Sequence, residues 1–300
     1  MRIPRLPAAG LLLIPPLMWA AGTVVGRVAV GTFPPLAFSF WRWVVALIFV
    51  LPFTGRALWQ QRTVIVQHWR PLLVLGASGV GGYNSFQYLA LTTSPVVNVV
   101  LIGAAFPLMM LPVAIIFLRE RIGALGLLGM ALALAGVLLV LSHGDLQRLL
   151  TLEFARGDLI MLAANASWAV YTLVLRKYPL PLPGLQSLTL QIAIGIPVIL
   201  PFYLWEYAGQ GGFSPHASDI AALLFVAVCP SLIAYYFWDK GVQAIGAARA
   251  GVFVNLIPVF AALMAILFLD ERFNWYHGVA LAAMLVGVWL VNRPASALKK

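Results

Sequence analysis

The sequence contains the phrase FLRER at Phe117–Arg121 and, 151 positions later, the phrase FLDER at Phe268–Arg272. Each phrase follows a proline, Pro107 or Pro258, that lies 13 residues before its glutamate. Only 9% of the residues in this chain are charged. Two charge clusters in equivalent contexts therefore indicate that a longer segment is duplicated, and the fold prediction starts from this repeat.

The composition predicts a membrane protein. Hydrophobic residues make up 62% of the chain, its mean hydropathy is +0.97, and a soluble domain usually has about a quarter of its residues charged. A spanning helix needs roughly 20 mostly apolar residues. Ten segments of suitable length predict ten spans: Ala9–Val30, Leu36–Phe53, Pro71–Leu91, Val96–Leu118, Gly123–Leu141, Asp158–Leu175, Leu185–Tyr203, Asp219–Val242, Ala247–Leu269 and Tyr276–Val291.

The duplication extends beyond the charged phrases. Pro107–Val140 and Pro258–Val291 are identical at 13 of 34 positions, and Trp19–Arg27 matches Trp168–Arg176 at 5 of 9 positions with an offset of 149. We therefore expect residues 1–150 to form one repeat of five helices and residues 151–300 a second. Five is odd, so the second repeat is inverted. The predicted fold is an all-α integral membrane protein with ten transmembrane helices in two inverted five-helix repeats around a central cavity, an arrangement typical of alternating access.

The basic residues predict topology. The formal net charge is +10, and with a cytoplasmic N-terminus 14 of the 19 Lys and Arg residues fall on the cytoplasmic side. This asymmetry follows the positive-inside rule and predicts that both termini are cytoplasmic. Because the charges are spread singly over loops, the sequence gives no reason to expect a nucleic-acid partner. The apolar N-terminal run is of full spanning length, so we expect it to be the first span rather than a cleaved signal peptide.

These features resemble the EamA-type branch of the drug/metabolite transporter superfamily. The resemblance rests on the two proline-to-Glu-Arg motifs, between spans 4 and 5 and between spans 9 and 10, and on Gly136 and Gly287 in the spans that follow. It covers essentially the whole chain. Within that branch the chain is most similar to bacterial inner-membrane exporters of amino acids, including aromatic ones. The resemblance implies transport of small molecules across the cell inner membrane.

Polar and aromatic residues recur at helical spacing within several predicted spans. Buried amides are costly in lipid unless they are hydrogen-bonded, so rows of them favour a cavity lined by neutral polar groups and rings. For any single residue, a hydrogen bond between helices or an interfacial aromatic belt explains the pattern equally well. The residues predicted to line a substrate cavity are Trp19, Tyr83, Asn84, Gln87, Tyr88, Asn98, Asn165, Trp168, Tyr235, Trp238 and Asn255.

Four positions are predicted to bend a span, either as moving parts or as static kinks: Pro107, Pro258, Pro230 and Gly79. A proline inside a helix removes one backbone donor and frees the carbonyl four residues earlier. Gly79 is the repeat mate of Pro230 at the offset of 151, and it lies in a glycine-rich stretch. The pairing favours a moving part in each repeat.

The charged phrases place Glu120–Arg121 before span 5 and Glu271–Arg272 before span 10. A carboxylate near a helix N-terminus interacts favourably with the helix dipole, so we expect these residues to cap the two hairpins. A gate latch or a proton site is the alternative.

The remaining charged residues inside predicted spans are expected to place their charged groups at the protein surface. Arg42 is predicted to snorkel out of span 2, with a role in holding a substrate carboxylate as the alternative. Its repeat mate is Gln191. Asp239 and Lys240 are interpreted as a local pair at the surface, so no acidic residue is expected deep in a span.

The sequence also argues against several function classes. It has no G-x-x-x-x-G-K-[ST] loop for ATP, one cysteine, and histidines only in loops or at span ends. We therefore expect no cofactor, no metal site and no catalysis. The leading hypothesis is a secondary exporter of small neutral or zwitterionic metabolites, amino acids among them, in which proton coupling stays open. The alternatives are a carrier of phosphorylated metabolites or nucleotide sugars, or a multidrug exporter; an intramembrane enzyme fits less well.

Overall fold

The computed structural model describes residues 8–29, 33–94, 96–142, 144–145, 147–151, 155–210, 216–268 and 274–292. Within these ranges the chain is helical and contains no β-strand. Eight helices in the described part are at least 18 residues long and apolar enough to cross a bilayer. Two further helical runs, spans 1 and 3, complete the ten. The predicted all-α membrane fold is confirmed. Lipid offers no hydrogen-bond partners, so the backbone N–H and C=O groups of a span must bond to one another, as they do in a helix.

The spans of the first repeat each overlap one of the predicted segments. Their bounds are span 1, Ile14–Ala29; span 2, Pro35–Gln60; span 3, Trp69–Leu75, Gly76–Gly82 and Tyr83–Leu91; span 4, Val96–Ala104 and Phe106–Leu118; and span 5, Ala124–Leu141. Short helices at Ala8–Leu11 and Arg62–Gln67 flank spans 1 and 3.

The second repeat follows the same pattern. Its bounds are span 6, Arg156–Lys177; span 7, Gly184–Gln210; span 8, Ala217–Val226, Ala227–Ile233 and Ala234–Ile245; span 9, Ala247–Gly251, Val252–Asn255 and Leu256–Phe268; and span 10, Trp275–Asn292. A short helix, Gln147–Leu150, precedes it. Because successive spans alternate in direction, odd spans begin on the face where span 1 begins, named the N-terminal face, and even spans begin on the opposite face.

Spans 2 and 7 continue beyond their predicted ends at Phe53 and Tyr203, to Gln60 and Gln210. The apolar pattern ends earlier than the helix because a helix satisfies its own backbone hydrogen bonds even where its side chains become polar or interfacial. Both spans also contain proline, Pro52 in span 2 and Pro197 and Pro201 in span 7. Neighbouring helices tolerate such breaks in membranes.

Spans 3 and 8 each contain a π-helical segment, Gly76–Gly82 and Ala227–Ile233. The two segments correspond residue for residue at the repeat offset of 151. In a π-helix the backbone donors reach carbonyls five residues earlier, and such segments often mark functional sites. The predicted pair Gly79 and Pro230 lies at the centre of these two segments, so the local backbone is altered equally in both repeats.

Spans 4 and 9 are interrupted at equivalent positions, at Ala105 and at the 3₁₀ segment Val252–Asn255. Pro107 and Pro258 lie in the first turn of the helices that follow. A proline there removes no bond from within an α-helix, because the first turn has no intrahelical partner for its N–H groups. Each proline therefore begins the helix that follows a break in its span, and the role of these two breaks as bending points stays a prediction.

The most extensive packing joins helices from different repeats. Span 5 packs against span 10, span 2 against span 7, span 3 against spans 6 and 7, and span 1 against span 9. The two repeats are thus interleaved rather than placed side by side. Any opening between them must change contacts on several helices together.

Glycines allow the close crossing of spans 5 and 10. A Cβ atom at Gly129 would lie 2.6 Å from the Gly287 carbonyl oxygen, and a Cβ at Gly287 would lie 2.5 Å from the Gly129 carbonyl oxygen. Gly136 approaches the carbonyl of Ala280 in the same way. Without a hydrophobic force between helices in lipid, small residues permit the backbone contacts that hold them together. This explains the glycines of the repeated motif.

Candidate functional site

The π-helix of span 3 presents its carbonyl oxygens to neighbouring helices. The Gly79 carbonyl accepts hydrogen bonds from Tyr235 Oη at 3.0 Å and from Asn84 Nδ2 at 3.1 Å, and the Ser78 carbonyl accepts one from Ser167 Oγ at 2.9 Å. Two of these donors come from the second repeat. The altered backbone of one repeat is therefore bonded directly to helices of the other.

The π-helix of span 8 is used in a similar way. Pro230 has no backbone N–H to donate, and the nearby Val226 carbonyl accepts a hydrogen bond from Ser231 Oγ at 2.9 Å. The Pro230 carbonyl accepts a hydrogen bond from Trp19 Nε1 at 3.1 Å. A Cβ atom on Gly22 of span 1 would lie 3.0 Å from Pro230 Cγ.

The contact between Gly22 and Pro230 has a counterpart in the other π-helix, where the large and the small residue are exchanged. In span 3 it is Gly79 that is small, and a Cβ added there would lie 2.7 Å from Cγ of Tyr171. Tyr171 is the repeat mate of Gly22 at the offset of 149. Each π-helix thus packs against an equivalent position of the other repeat, with a ring on one side and a glycine on the other.

Seven aromatic side chains meet between the repeats and form what we call the aromatic core. Trp168 lies at its centre, with ring centroids of five neighbours 4.8 to 5.7 Å away. The members are Trp19, Trp43, Tyr83, Trp168, Tyr171, Tyr235 and Trp238. They come from spans 1, 2, 3, 6 and 8.

Two hydrogen-bond donors in the aromatic core have no acceptor among the described residues. The Nε1 atoms of Trp43 and Trp238 are buried and have no hydrogen-bond partner among the described residues. Buried donors in native proteins are nearly always paired, so each exception requires an explanation. Rings with free donors at the interface of the repeats are suited to contact a small amphipathic molecule.

Arg42 lies on the side of the aromatic core nearer the opposite face. It is only 9% exposed, donates hydrogen bonds to Asn84 Oδ1 and, at 3.5 Å, to Tyr88 Oη, and lies 5.0 Å over the ring of Trp43. The predicted snorkelling is wrong, because this network of polar and aromatic partners holds the guanidinium inside the protein. No carboxylate in the described part of the chain lies within ion-pair distance of it, and its Nε has no acceptor.

Asp239 lies on the side of the aromatic core nearer the N-terminal face. It is 4% exposed and accepts hydrogen bonds from Tyr171 Oη and, at 3.4 Å, from Gln191 Nε2. The predicted surface pair with Lys240 is wrong, since the ammonium group of Lys240 instead lies 4.5 Å over the ring of Tyr236. Successive residues of a helix point in different directions, so adjacent charges do not share an environment.

The two buried charges occupy related positions. Gln191 is the repeat mate of Arg42, and Asp239 is the repeat mate of Tyr88 at the offset of 151. The contact between Arg42 and Tyr88 therefore has its counterpart in the contact between Gln191 and Asp239. The first repeat supplies a cation near one face, and the second repeat supplies an anion near the other.

The structure brings together most of the predicted cavity residues but separates others. Asn98 donates to Asp158 Oδ2 at 3.0 Å, and Asn165 donates to the Ile102 carbonyl at 2.6 Å, so both are bonded between spans 4 and 6. Gln87 is half-buried. Asn255 is 1% exposed and lies at the break in span 9, where its amide has no partner among the described residues.

Two glutamates each cap a helix of the other repeat. On the N-terminal face, Glu120 accepts hydrogen bonds from the backbone N–H groups of Ala247 at 2.8 Å and Ala248 at 3.1 Å. On the opposite face, Glu206 accepts hydrogen bonds from those of Leu36 at 3.0 Å and Ala37 at 2.7 Å. Carboxylates at helix N-termini are stabilised by the dipole and by charge-assisted hydrogen bonds. Each face of the protein thus has a glutamate that caps a helix of the other repeat, and on the opposite face Asp158 also joins the repeats by accepting hydrogen bonds from Ser94 and Asn98.

The cap predicted for Glu120 has a different partner from the one expected. It caps span 9 rather than span 5, because Arg119 takes a left-handed conformation that ends span 4, and the side chain of Glu120 reaches the adjacent helix start. Arg121 is exposed. Glu271 and Arg272 lie outside the described residues.

Sequence reasoning missed Trp43, Tyr171, Asp239 and Glu206. The repeat relation contained a signal for Asp239, because it aligns with Tyr88, a residue predicted to line the cavity. The burial of Glu206 had no such signal, since its mate at the offset of 149 is Ala57.

The fold and this site define a class of protein: a multi-pass membrane transporter whose two inverted repeats enclose a polar and aromatic interface. The model of the EamA-like transporter family matches the chain twice, at residues 6–142 and 155–293. The chain belongs to the EamA-like transporter family, which confirms the resemblance seen in the sequence.

Known relatives agree with this assignment. The chain is 29% identical over 245 residues to the uncharacterized transporter YyaM of Bacillus subtilis (strain 168), covering 80% of this chain and 79% of that protein. It is 24% identical over 208 residues to the aromatic amino acid exporter YddG of Ancylobacter novellus, covering 68% of this chain and 69% of that protein. A solved crystal structure with 21% identity superposes with a TM-score of 0.78 and covers 96% of this chain and 98% of its own, which shows the shared fold.

Proposed function

We propose that this protein exports small zwitterionic metabolites, amino acids with aromatic side chains among them, across the inner membrane by alternating access between its repeats. It acts as a secondary transporter, with neither ATP nor a metal cofactor, and it catalyses no reaction. Both termini are cytoplasmic, as the distribution of Lys and Arg favours. Export then runs from the N-terminal face to the opposite face.

One observation carries the substrate class: the buried guanidinium of Arg42 has no carboxylate partner in the described part of the chain. Burying a charge is costly unless it is paired, and arginine is suited to bidentate recognition of a carboxylate. A substrate carboxylate supplies the missing anion. The aromatic core beside Arg42 supplies rings for an apolar or aromatic side chain, and the similarity to an aromatic amino acid exporter supports the same class.

The two glutamate caps support the alternating-access part of the proposal. Glu120 holds the repeats together on the N-terminal face, and Glu206 holds them on the opposite face. Opening either face requires release of one carboxylate from two backbone amides, while the other cap stays intact. This gives Glu120 the role of a latch between repeats in addition to that of a cap.

A carrier of phosphorylated metabolites is the alternative that Arg42 also permits, because guanidinium groups bind phosphate. A phosphate ester carries up to two charges, and Arg42 is the one buried arginine among the described residues. A multidrug exporter for organic cations would need an anion at the rings. The described anion, Asp239, lies to one side and is bonded to Tyr171 and Gln191. A zwitterion with one carboxylate fits best.

Counterflow in proteoliposomes tests the proposal. Purified protein would be reconstituted in vesicles loaded with unlabelled tryptophan, a hexose phosphate or a quaternary ammonium drug, and exchange of the labelled compound would be measured. We expect tryptophan to exchange. A wider panel of labelled amino acids would be tested in the same way. The proposal would be overturned if the hexose phosphate or the drug cation exchanged and no amino acid did.

Arg42→Met provides the site-specific arm of this experiment. Truncating one partner of a buried charge pair costs about 2–5 kcal/mol, so we expect tryptophan affinity to fall by about 30-fold or more. The matched control is Arg62→Met, since Arg62 is exposed and its guanidinium contacts only Trp59 among the described residues. Equal exchange by both variants would show that Arg42 does not bind substrate.

A further inference from the structure

Asp239 is a buried carboxylate that the proposed transport path does not use. Its two hydrogen-bond partners, Tyr171 and Gln191, are both neutral. Within the described part of the chain, no Lys or Arg side chain lies within ion-pair distance of it. Other buried carboxylates are different, because Asp158, Asp219 and Glu206 each accept at least one hydrogen bond from a backbone amide at a helix start.

A carboxylate in this environment favours exchange of a proton. Charge buried without a counter-ion is costly, and ionisable groups inside membrane spans commonly mark ion pathways or proton relays. The hydroxyl of Tyr171 and the amide of Gln191 can bond to the carboxylate, and a protonated carboxyl still keeps acceptor capacity for them. The same two partners can therefore hold both protonation states, with a weaker hydrogen bond from Tyr171 when the carboxyl is protonated.

A cavity connects this carboxylate to the N-terminal face. Its volume is about 90 Å³, and its lining includes Asp239, Lys240, Gln243 and Ser187. A space of that size holds a few water molecules and is much smaller than the roughly 300–1,000 Å³ of pockets that enclose small organic ligands. The cavity is thus suited to water and protons rather than to the ammonium group of a whole amino acid.

The charged and titratable groups around Asp239 can be named by element. Span 6 contributes Tyr171, and span 8 contributes Tyr235 one turn away and Lys240 in the cavity wall. Tyr178, after span 6, also lines the cavity. Span 7 contributes neutral residues there, Ser187 and Gln191.

Arg176 and Arg249 do not form ion pairs with Asp239. Arg176 of span 6 donates to the Gln243 carbonyl and lies 4.0 Å from Glu120, and Arg249 of span 9 is not within ion-pair distance of Asp239. Lys240 is therefore the one described cation that shares the cavity, and its ammonium group lies over the ring of Tyr236.

We propose that Asp239 is a proton-binding site that exchanges with the N-terminal face through this cavity, and that its protonation is coupled to substrate export. The coupling rests on the proposed function, whereas the protonation does not. When the carboxylate gains a proton, the buried charge is removed and Tyr171 loses a charged acceptor. Tyr171 packs on Gly79 of the π-helix in span 3, so the change reaches the contact between the repeats directly.

Infrared difference spectroscopy tests the protonation without any substrate. Wild-type protein in lipid would be compared between acidic and alkaline buffer, in H₂O and in D₂O. We expect the carbonyl stretch of a protonated carboxylic acid to appear on acidification, to shift in D₂O because the cavity admits water, and to be absent in Asp239→Asn. Asp219→Asn is the matched control and should keep the band.

Two results would overturn the site: no such band in wild-type protein, or a band that persists in Asp239→Asn. If Asp239→Asn fails to fold, as judged by size-exclusion chromatography, Tyr171→Phe replaces it. That variant removes one of the two donors, so the pH at which the band appears must change; an unchanged midpoint would also overturn the proposal.

The coupling is tested in proteoliposomes with labelled tryptophan as the probe. Asp239→Asn should keep counterflow, which needs no net proton movement, and should lose accumulation driven by an imposed pH gradient. Accumulation by the variant at the wild-type level would refute the coupling. Loss of counterflow and accumulation together would assign Asp239 to substrate binding and refute it as well. If the wild type moves no amino acid, the proposed function and the coupling fail, while the infrared result still decides the protonation site.

Discussion

Glu120 joins the two repeats on the N-terminal face, and the substitution Glu120→Gln removes its charge while keeping its size. The carboxylate accepts one hydrogen bond from each of Ala247 N and Ala248 N, at 2.8 and 3.1 Å. A glutamine offers one carbonyl oxygen, so one of these amides loses its acceptor and faces an NH₂ group instead. The latch is therefore weakened without a change in the bulk of the side chain.

The magnitude follows from the geometry. A hydrogen bond to a charged group contributes about 1.5–3 kcal/mol, and a carboxylate at a helix N-terminus contributes about 0.3–1 kcal/mol more. The Glu120 side chain is 17% exposed, so water compensates part of the loss. We expect a net loss of about 2 kcal/mol, which shifts the equilibrium between the closed and open N-terminal face by about 30-fold.

Cysteine labelling measures this shift. Ala250 lies just after the amides that Glu120 caps and Ser39 just after those that Glu206 caps, and both are fully buried. Ala250→Cys and Ser39→Cys would be made separately in a Cys229→Ser background and treated with a maleimide. Glu120→Gln should raise the labelling rate at position 250 by about 30-fold and should lower it at position 39.

The matched variant is Glu206→Gln, whose carboxylate caps span 2 on the opposite face. It should produce the reverse pattern, with faster labelling at position 39. Equal increases at both positions in Glu120→Gln would mean that the cap supports general stability, and no change at either would mean that it holds nothing closed. Either result would refute the latch.

Two glycine substitutions test the contacts between the repeats, with melting temperatures of the purified protein as the measurement. Gly79→Ala places a methyl group against the ring of Tyr171, and Gly287→Ala places one 2.5 Å from the Gly129 carbonyl oxygen; overpacking of this kind costs about 1–3 kcal/mol. Gly209→Ala is the control, because nothing lies within 4 Å of its added Cβ, and loss of glycine in an open helix should stabilise by about 0.5–1 kcal/mol. Melting temperatures of Gly79→Ala or Gly287→Ala at or above that of Gly209→Ala would contradict the close contacts.

The sequence predicted the number and placement of the spans well, because apolar length alone identifies a helix in lipid. It also predicted the repeat, and through it the pair Gly79 and Pro230, which the structure places at the centre of two π-helices. The π-helical form itself was not predictable, since it depends on side chains of other helices. The side chains of Asn84 and Tyr235 donate hydrogen bonds to the carbonyl of Gly79. The hydrophobic pattern of the spans does not reveal either hydrogen bond.

The buried charges show the limit most clearly. Position along a span suggested that Arg42 snorkels and that Asp239 lies at the surface, yet both are buried. Rise along a helix gives depth in the membrane but not the direction of a side chain around the helix. That direction decided both cases, because one side of each helix faces the other repeat and its polar groups.

The most direct test of the account is tryptophan counterflow by Trp168→Ala beside Trp59→Ala in proteoliposomes. Trp168 lies at the centre of the aromatic core and is 4% exposed, whereas Trp59 is 72% exposed at the end of span 2. Loss of a central aromatic contact costs about 2 kcal/mol or more. We predict exchange reduced by about 30-fold in Trp168→Ala, partly restored in Trp168→Phe, and unchanged in Trp59→Ala. Wild-type exchange by a correctly folded Trp168→Ala would show that the substrate does not pass through the aromatic core between the repeats.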